Sequence, residues 1–159
     1  MRARTFLRGA SILTLLFGLG HTLGFPWVGT ATPELLSKLA EIRAMTTVTQ
    51  GFARSYWDFH VGFGLYISLM FLAMAILFWR VGSLSATEPK LVRTTAAVFC
   101  GLFVADIALN FMYFFWLPIA FAASIAACLA AAVFLLSRVD GRPGRWQVPG
   151  ARSADHESH

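Results

Sequence analysis

The sequence predicts an all-α fold, a four-helix transmembrane bundle, on three observations. Of 159 residues, 57% are hydrophobic and only 13% charged, with a mean hydropathy of +0.65. A soluble domain this small cannot bury so much apolar surface, because small domains hide a limited share of their chain. Four segments are long enough to cross a membrane, since about 20 apolar residues span about 30 Å of hydrocarbon at 1.5 Å per residue. The cations outside those segments sort strongly to one side. The same composition excludes a disordered chain, which would carry more charge, and a disulfide scaffold, since only Cys100 and Cys128 are present.

The spans are placed at about 6–25, 56–79, 91–113 and 117–136. The first is interrupted by Gly9, Gly18, Gly20, Gly24 and His21; the third contains Asp106 and Asn110; the fourth is dominated by alanine. None alternates apolar with polar residues, so membrane strands are not expected. Ten of the thirteen cations fall at the N-terminus (Arg2, Arg4, Arg8), between the second and third spans (Arg80, Lys90, Arg93) or in the tail (Arg138, Arg142, Arg145, Arg152). The positive-inside rule then puts both termini in the cytoplasm of a multi-pass protein of a bacterial inner (plasma) membrane. Trp27, Tyr56, Trp57, Tyr113 and Trp116 sit at the expected outer ends and Trp79 at an inner end, as an aromatic belt requires. A signal peptide cut after Ala31, with Gly29 at −3, competes for the first span. The apolar character continuing through Leu23, Phe25 and Trp27 argues for a retained helix.

Residues 29–54 form the one long external connection. Thr32, Pro33 and Glu34 make a helix start: an N-cap, a proline at the first position and an acid in the first turn. Leu35, Leu36, Leu39 and Ile42 then repeat at helical spacing against Ser37, Lys38, Glu41 and Arg43, predicting a short amphipathic helix. It reads as a packing element closing the bundle, or as a lid. Trp116, Leu117 and Pro118 form a very short link that makes the last two spans antiparallel neighbours. Residues 1–137 are thus the membrane domain, and 138–159, polar and rich in Gly, Pro and Arg, a disordered cytoplasmic tail. Its arginines suit anionic headgroups, which accounts for the net charge of +5 without nucleic acid.

Ionisable groups at membrane depth are costly, and by default they mark function. His21, Asp58, His60 and Asp106, with Asn110 beside them, all fall in the outer half, brought there by three helices. At about 100° per residue, Thr14, Gly18 and His21 share a face, as do Asp106, Asn110 and Tyr113. Asp58 and His60 lie about 200° apart and cannot both face the bundle axis. Each has a plainer role available. Ser55 to Asp58 matches a capping box; His60 suits the headgroups; His21 can satisfy a loop carbonyl; Asp106 can bond Asn110 or a neighbouring helix.

Three functions follow. In the leading one, an outer-leaflet pocket lined by Phe17, Phe59, Phe63, Phe103, Phe111 and Tyr113 binds a small lipophilic molecule. Asp58, His60, Asn110 and Tyr113 contact it, and His21 and Asp106 are candidate catalytic proton carriers if it is converted. In the second, the chain is a non-catalytic accessory or assembly subunit, held to a membrane partner subunit or to a second copy of itself. In the third, His21 and His60 ligate a metal or haem b. No Cys-x-x-Cys, phosphate-binding glycine loop, Ser-His-Asp order or zinc-protease pattern is present. No cofactor is named by the residues.

Gly20-His21-Thr22-Leu23-Gly24, with Ser55-Tyr56-Trp57-Asp58-Phe59 and Gly62-Phe63-Gly64, resembles small four-span bacterial inner-membrane proteins of uncharacterised function over about residues 6–137. The architecture is also similar, at fold level, to DoxX-type bundles and to the sterol-isomerase and sigma-two-receptor group. The resemblance implies a four-span bundle and carries no catalytic residue with it.

Overall fold

The structure is a computed structural model and describes residues 2–24 and 32–140. Four helices are long and apolar enough to cross a membrane: α1 (Arg2–Gly24), α3 (Tyr56–Ser83), α4 (Pro89–Tyr113) and α5 (Trp116–Asp140). Between α1 and α3 lie α2 (Pro33–Ala44) and a hairpin of β1 (Thr46–Thr49) and β2 (Phe52–Ser55). The spans match the expected ones, with ends displaced by a few residues. α1 begins at Arg2 because Arg2, Arg4 and Arg8 are good helix formers that continue the turn pattern. α5 begins at Trp116, so the link to α4 is Phe114 and Phe115. Pro118 lies within its first turn, where a missing N–H costs nothing.

The capping signals act as the sequence implies. Thr32 Oγ1 accepts from Leu35 N at 3.3 Å with Pro33 behind it, starting α2. Ser55 and Asp58 exchange hydrogen bonds of 3.1 and 2.8 Å, the capping box that starts α3. The hairpin was not expected. Thr46, Thr47, Val48 and Thr49 favour a strand by β-branching. Gln50 (φ 52°) and Gly51 (φ 85°) both take positive φ, the arrangement of a type I′ turn. Arg43 lies 4.5 Å over the Trp57 ring, tying α2 to the start of α3. The expected belt residue Trp27, the cleavage site at Ala31 and the tail beyond Asp140 lie outside the described residues.

The long helices run alternately up and down, and small residues decide which of them pack closely. α1 packs against both α3 and α5, and α5 also packs against α4. At the α1–α3 contact, a Cβ added to Gly18 would sit 2.8 Å from Phe71 Cβ, and one added to Gly82 would sit 3.2 Å from Leu7 Cβ. Ser11 Oγ donates to the Ala75 carbonyl at 2.6 Å across the same contact. Ala10, Ala96, Ala122, Ala126 and Ala132 are buried around Ile125 and Leu129, so small side chains bring α1, α4 and α5 together. Ala123, Ala127 and Ala130 point outward.

α3 and α4 meet differently, through rings: Phe78 stands edge-on to Phe99 at 5.1 Å and lies 6.3 Å from Phe103. Trp79 lies near the basic end, under the Arg8 guanidinium at 4.5 Å. We call the opposite end, with Tyr56, Tyr113 and Trp116, the hairpin end.

Gly18 and Gly20 make a contrasting pair, since a Cβ at Gly20 meets nothing within 4 Å. Gly18→Ala is expected to destabilise the protein by about 1–3 kcal/mol by overpacking, and Gly20→Ala by less than about 0.5 kcal/mol. Thermal unfolding in mild detergent checks this; equal midpoints for the two variants would refute the close α1–α3 contact.

Candidate functional site

The α1 face predicted from Thr14, Gly18 and His21 does turn inward. Thr14 and Gly18 are buried, and His21 lies one turn further toward the hairpin end at the edge of a cavity of about 380 Å³. The volume falls within the range of about 300–1,000 Å³ common to small-molecule sites. From α4, Asp106 and Asn110 reach the same cavity, one turn apart on one helix face. Three of the residues singled out from sequence, His21, Asp106 and Asn110, are thus brought together.

Three rings form the floor. Phe17 stacks parallel to Phe121 at 5.1 Å and lies 4.5 Å from Phe71. α1 contributes a wall of Gly20 and Gly24, whose missing side chains leave open space that a Cβ would enter. Ile67 of α3 completes one side. Phe114, Phe115, Leu117 and Pro118, around the α4–α5 link, form the rim at the hairpin end.

The polar groups are held by short local bonds. Asn110, 5% exposed, donates from Nδ2 to the Asp106 carbonyl at 2.8 Å, one turn back in α4. His21 Nδ1 lies 3.2 Å from Ser68 Oγ, which donates to the Gly64 carbonyl at 3.1 Å. Thr22 Oγ1 joins them, 2.9 Å from Ser68 Oγ and 2.7 Å from the Gly18 carbonyl. While the Ser68 hydroxyl donates to Gly64, the imidazole must carry its proton on Nδ1 to bond Ser68. Ser68 of α3 therefore fixes the ring's place, and its hydroxyl proton is coupled to the imidazole tautomer. Sequence reasoning missed it, although Gly64 and Ser68 at i and i+4 offered the signal.

The remaining candidates lie elsewhere. Asp58 is exposed and serves the capping box, on a groove lined by Arg54, Phe59, Gly62, Phe63 and Tyr66. Every one of those residues comes from α3 or the strand leading into it, so the groove is a surface feature of one helix end. His60 is exposed with its ring 5.4 Å from Trp57. Tyr113, though on the Asp106 face by periodicity, is 71% exposed. Of the phenylalanines expected around the pocket only Phe17 lines it; Phe103 belongs to the core beside Phe78, and Phe111 is exposed.

His21 and His60 do not line a common cavity. Among the described residues no three His, Cys, Asp or Glu side chains converge as metal ligands would. The arrangement offers a ligand one carboxyl, one amide and one imidazole within an otherwise apolar enclosure. Comparison with protein-family models, curated proteins and solved structures finds no match, so the site is argued from its geometry.

Since Ser55 and Asp58 cap α3 away from the cavity, their loss should cost stability only. Ser55→Ala is expected to lower stability by about 0.5–2 kcal/mol and Asp58→Asn by less. Thermal unfolding reads the cost. An Asp58→Asn protein as stable as wild type but altered in ligand retention would return Asp58 to the site.

Proposed function

We propose that the protein binds a small lipophilic molecule with one polar end in the cavity shared by His21, Asp106 and Asn110. One observation carries the reading: three polar side chains from two helices line a single cavity whose floor and rim are phenylalanine, leucine and proline. Polar groups at this depth are costly, and a ligand that bonds them while filling the apolar space would offset that cost. Conversion of the ligand by proton transfer between His21 and Asp106 is the second reading, favoured because both titratable side chains line the same cavity.

The protein is placed, on this proposal, in a bacterial inner membrane with the hairpin end outside and both termini in the cytoplasm. Arg2, Arg4, Arg8, Arg80, Lys90, Arg93 and Arg138 at the other end support that orientation. Helix α2 then lies at the outer surface. Leu35, Leu36 and Ile42 are exposed in the protein alone and would enter the interface.

Native mass spectrometry of the protein extracted in mild detergent tests the proposal. A small organic adduct is expected on the wild type. It should be lost in Asp106→Asn and His21→Ala at unchanged fold, since each deletes a contact whose loss weakens affinity roughly ten- to hundred-fold. The same adduct on all three proteins would overturn the assigned site. A second polypeptide in place of an adduct would favour the accessory-subunit reading.

A further inference from the structure

We infer that the ligand enters sideways from the bilayer through the seam between α3 and α4, and is therefore a membrane-resident amphiphile rather than a solute of the aqueous phase. The inference rests on the proposed binding site. α3 and α4 are joined at the basic end by the turn Leu84–Glu88 and by Phe78 against Phe99 and Phe103. Phe78 lies two turns, about 10 Å, closer to that end than Phe71 in the cavity floor. Toward the hairpin end, among the described residues, no ring contact or turn of that kind joins them: α3 begins from β2, α4 runs on into α5, and the close helix packing lies at the other interfaces. Both seam helices line the cavity, α3 with Ile67 and Phe71, α4 with Asp106 and Asn110.

The rim argues the same way. Phe114, Phe115, Leu117 and Pro118 carry no side-chain charge or hydrogen-bonding group, and the polar groups lie below them. A hydrated solute would shed its water against that rim before meeting a polar partner. An amphiphile already in the adjoining leaflet loses little: its polar end turns in to Asp106, Asn110 and His21 while its apolar part stays in the seam among lipid chains.

Gly20 allows a direct test, because it lines the cavity and a Cβ added there meets nothing within 4 Å. In full-length protein with Cys100→Ala and Cys128→Ala, reconstituted in phosphatidylglycerol and phosphatidylethanolamine vesicles, Gly20→Cys is exposed to two reagents. One is a long-chain alkyl maleimide dissolved in the bilayer, the other a charged sulfonate methanethiosulfonate in water. Leu102→Cys, on the exposed face of α4, and Lys38→Cys, on α2, are the lipid and water references.

The maleimide is expected to label Gly20→Cys as it labels Leu102→Cys. The sulfonate should label it roughly ten-fold or more slowly than Lys38→Cys. Adding Ile67→Trp at the seam should slow the maleimide reaction. Sulfonate labelling as fast as at Lys38→Cys, no labelling by either reagent, or a rate indifferent to Ile67→Trp would each overturn the route. Gly24→Cys, equally open, serves if Gly20→Cys does not fold. Labelling from the bilayer in a protein that shows no adduct by mass spectrometry would keep the route and remove the binding function, so the two failures are distinguishable.

Discussion

The spacing of α1 from α3, set where Gly18 meets Phe71 Cβ, governs the rest of the bundle. In lipid, helices gain little from hiding apolar surface, because the tails are as apolar as leucine; close backbone approach and interhelical hydrogen bonds must hold them. Gly18, Gly82 and the Ser11 bond to Ala75 supply both along one contact. The buried alanines of α5 do the same for α1 and α4. α1 and α5 thus form a tightly joined middle with α3 and α4 on its two sides. Between α3 and α4 the contact is made by rings instead, Phe78 against Phe99 and Phe103, while Phe71, nearer the hairpin end, lines the cavity. The cavity follows from that distribution of large and small residues.

The polar residues take their positions from the same packing. Antiparallel α1 and α3, in register through Gly18 and Phe71, bring Ser68 opposite His21, where hydroxyl and imidazole meet at 3.2 Å. Thr22, one residue on, shares Ser68 and returns a bond to the Gly18 carbonyl. The glycine that permits the close approach thus also presents a backbone acceptor to the network beside it. On α4 the bond from Asn110 to the Asp106 carbonyl stays within one helix and needs no neighbour. The His21 network is thus bonded between helices, whereas the bond from Asn110 to the Asp106 carbonyl lies within α4.

Much of this was legible in the sequence, and what was not has physical reasons. Hydropathy located four spans because the bilayer imposes a length on each, and caps at Thr32 and Ser55 fixed two starts. The convergence of His21, Asp106 and Asn110 followed from depth and helical period. Tyr113, the last residue of α4, shares the face of Asp106 and Asn110 by period but is exposed, so a shared face does not imply a shared neighbour. Phe59, Phe63 and Phe111 lie at the expected depth, and depth does not fix direction. Phe71 and Phe121 could not be singled out, because which of fifteen phenylalanines meet depends on helix order in space. The hairpin does carry a signal in the sequence, the β-branched run Thr46–Thr49 before Gln50-Gly51, which hydropathy and helical period do not report.

The cavity is what favours the proposed site over mere helix glue. A polar group that only fastens helices is best served by dense packing, which excludes water and strengthens its bond. Asn110 satisfies its amide against its own helix, and an alanine-rich neighbour could have closed over it as α5 closes over Cys100, whose thiol lies 3.6 Å from the Ala126 carbonyl. Instead α1 presents Gly20 and Gly24 to Asp106 and Asn110, leaving open the space a larger residue would fill. An unfilled cavity forfeits dispersion contacts along its whole lining, so an occupant would stabilise it. Lipid tails could supply the dispersion contacts, but a purely apolar occupant makes no use of the carboxyl, amide and imidazole that line the same cavity. An occupant with a polar end would match both the rings and the polar lining, which is why the binding reading accounts for more of the structure than the accessory-subunit reading does.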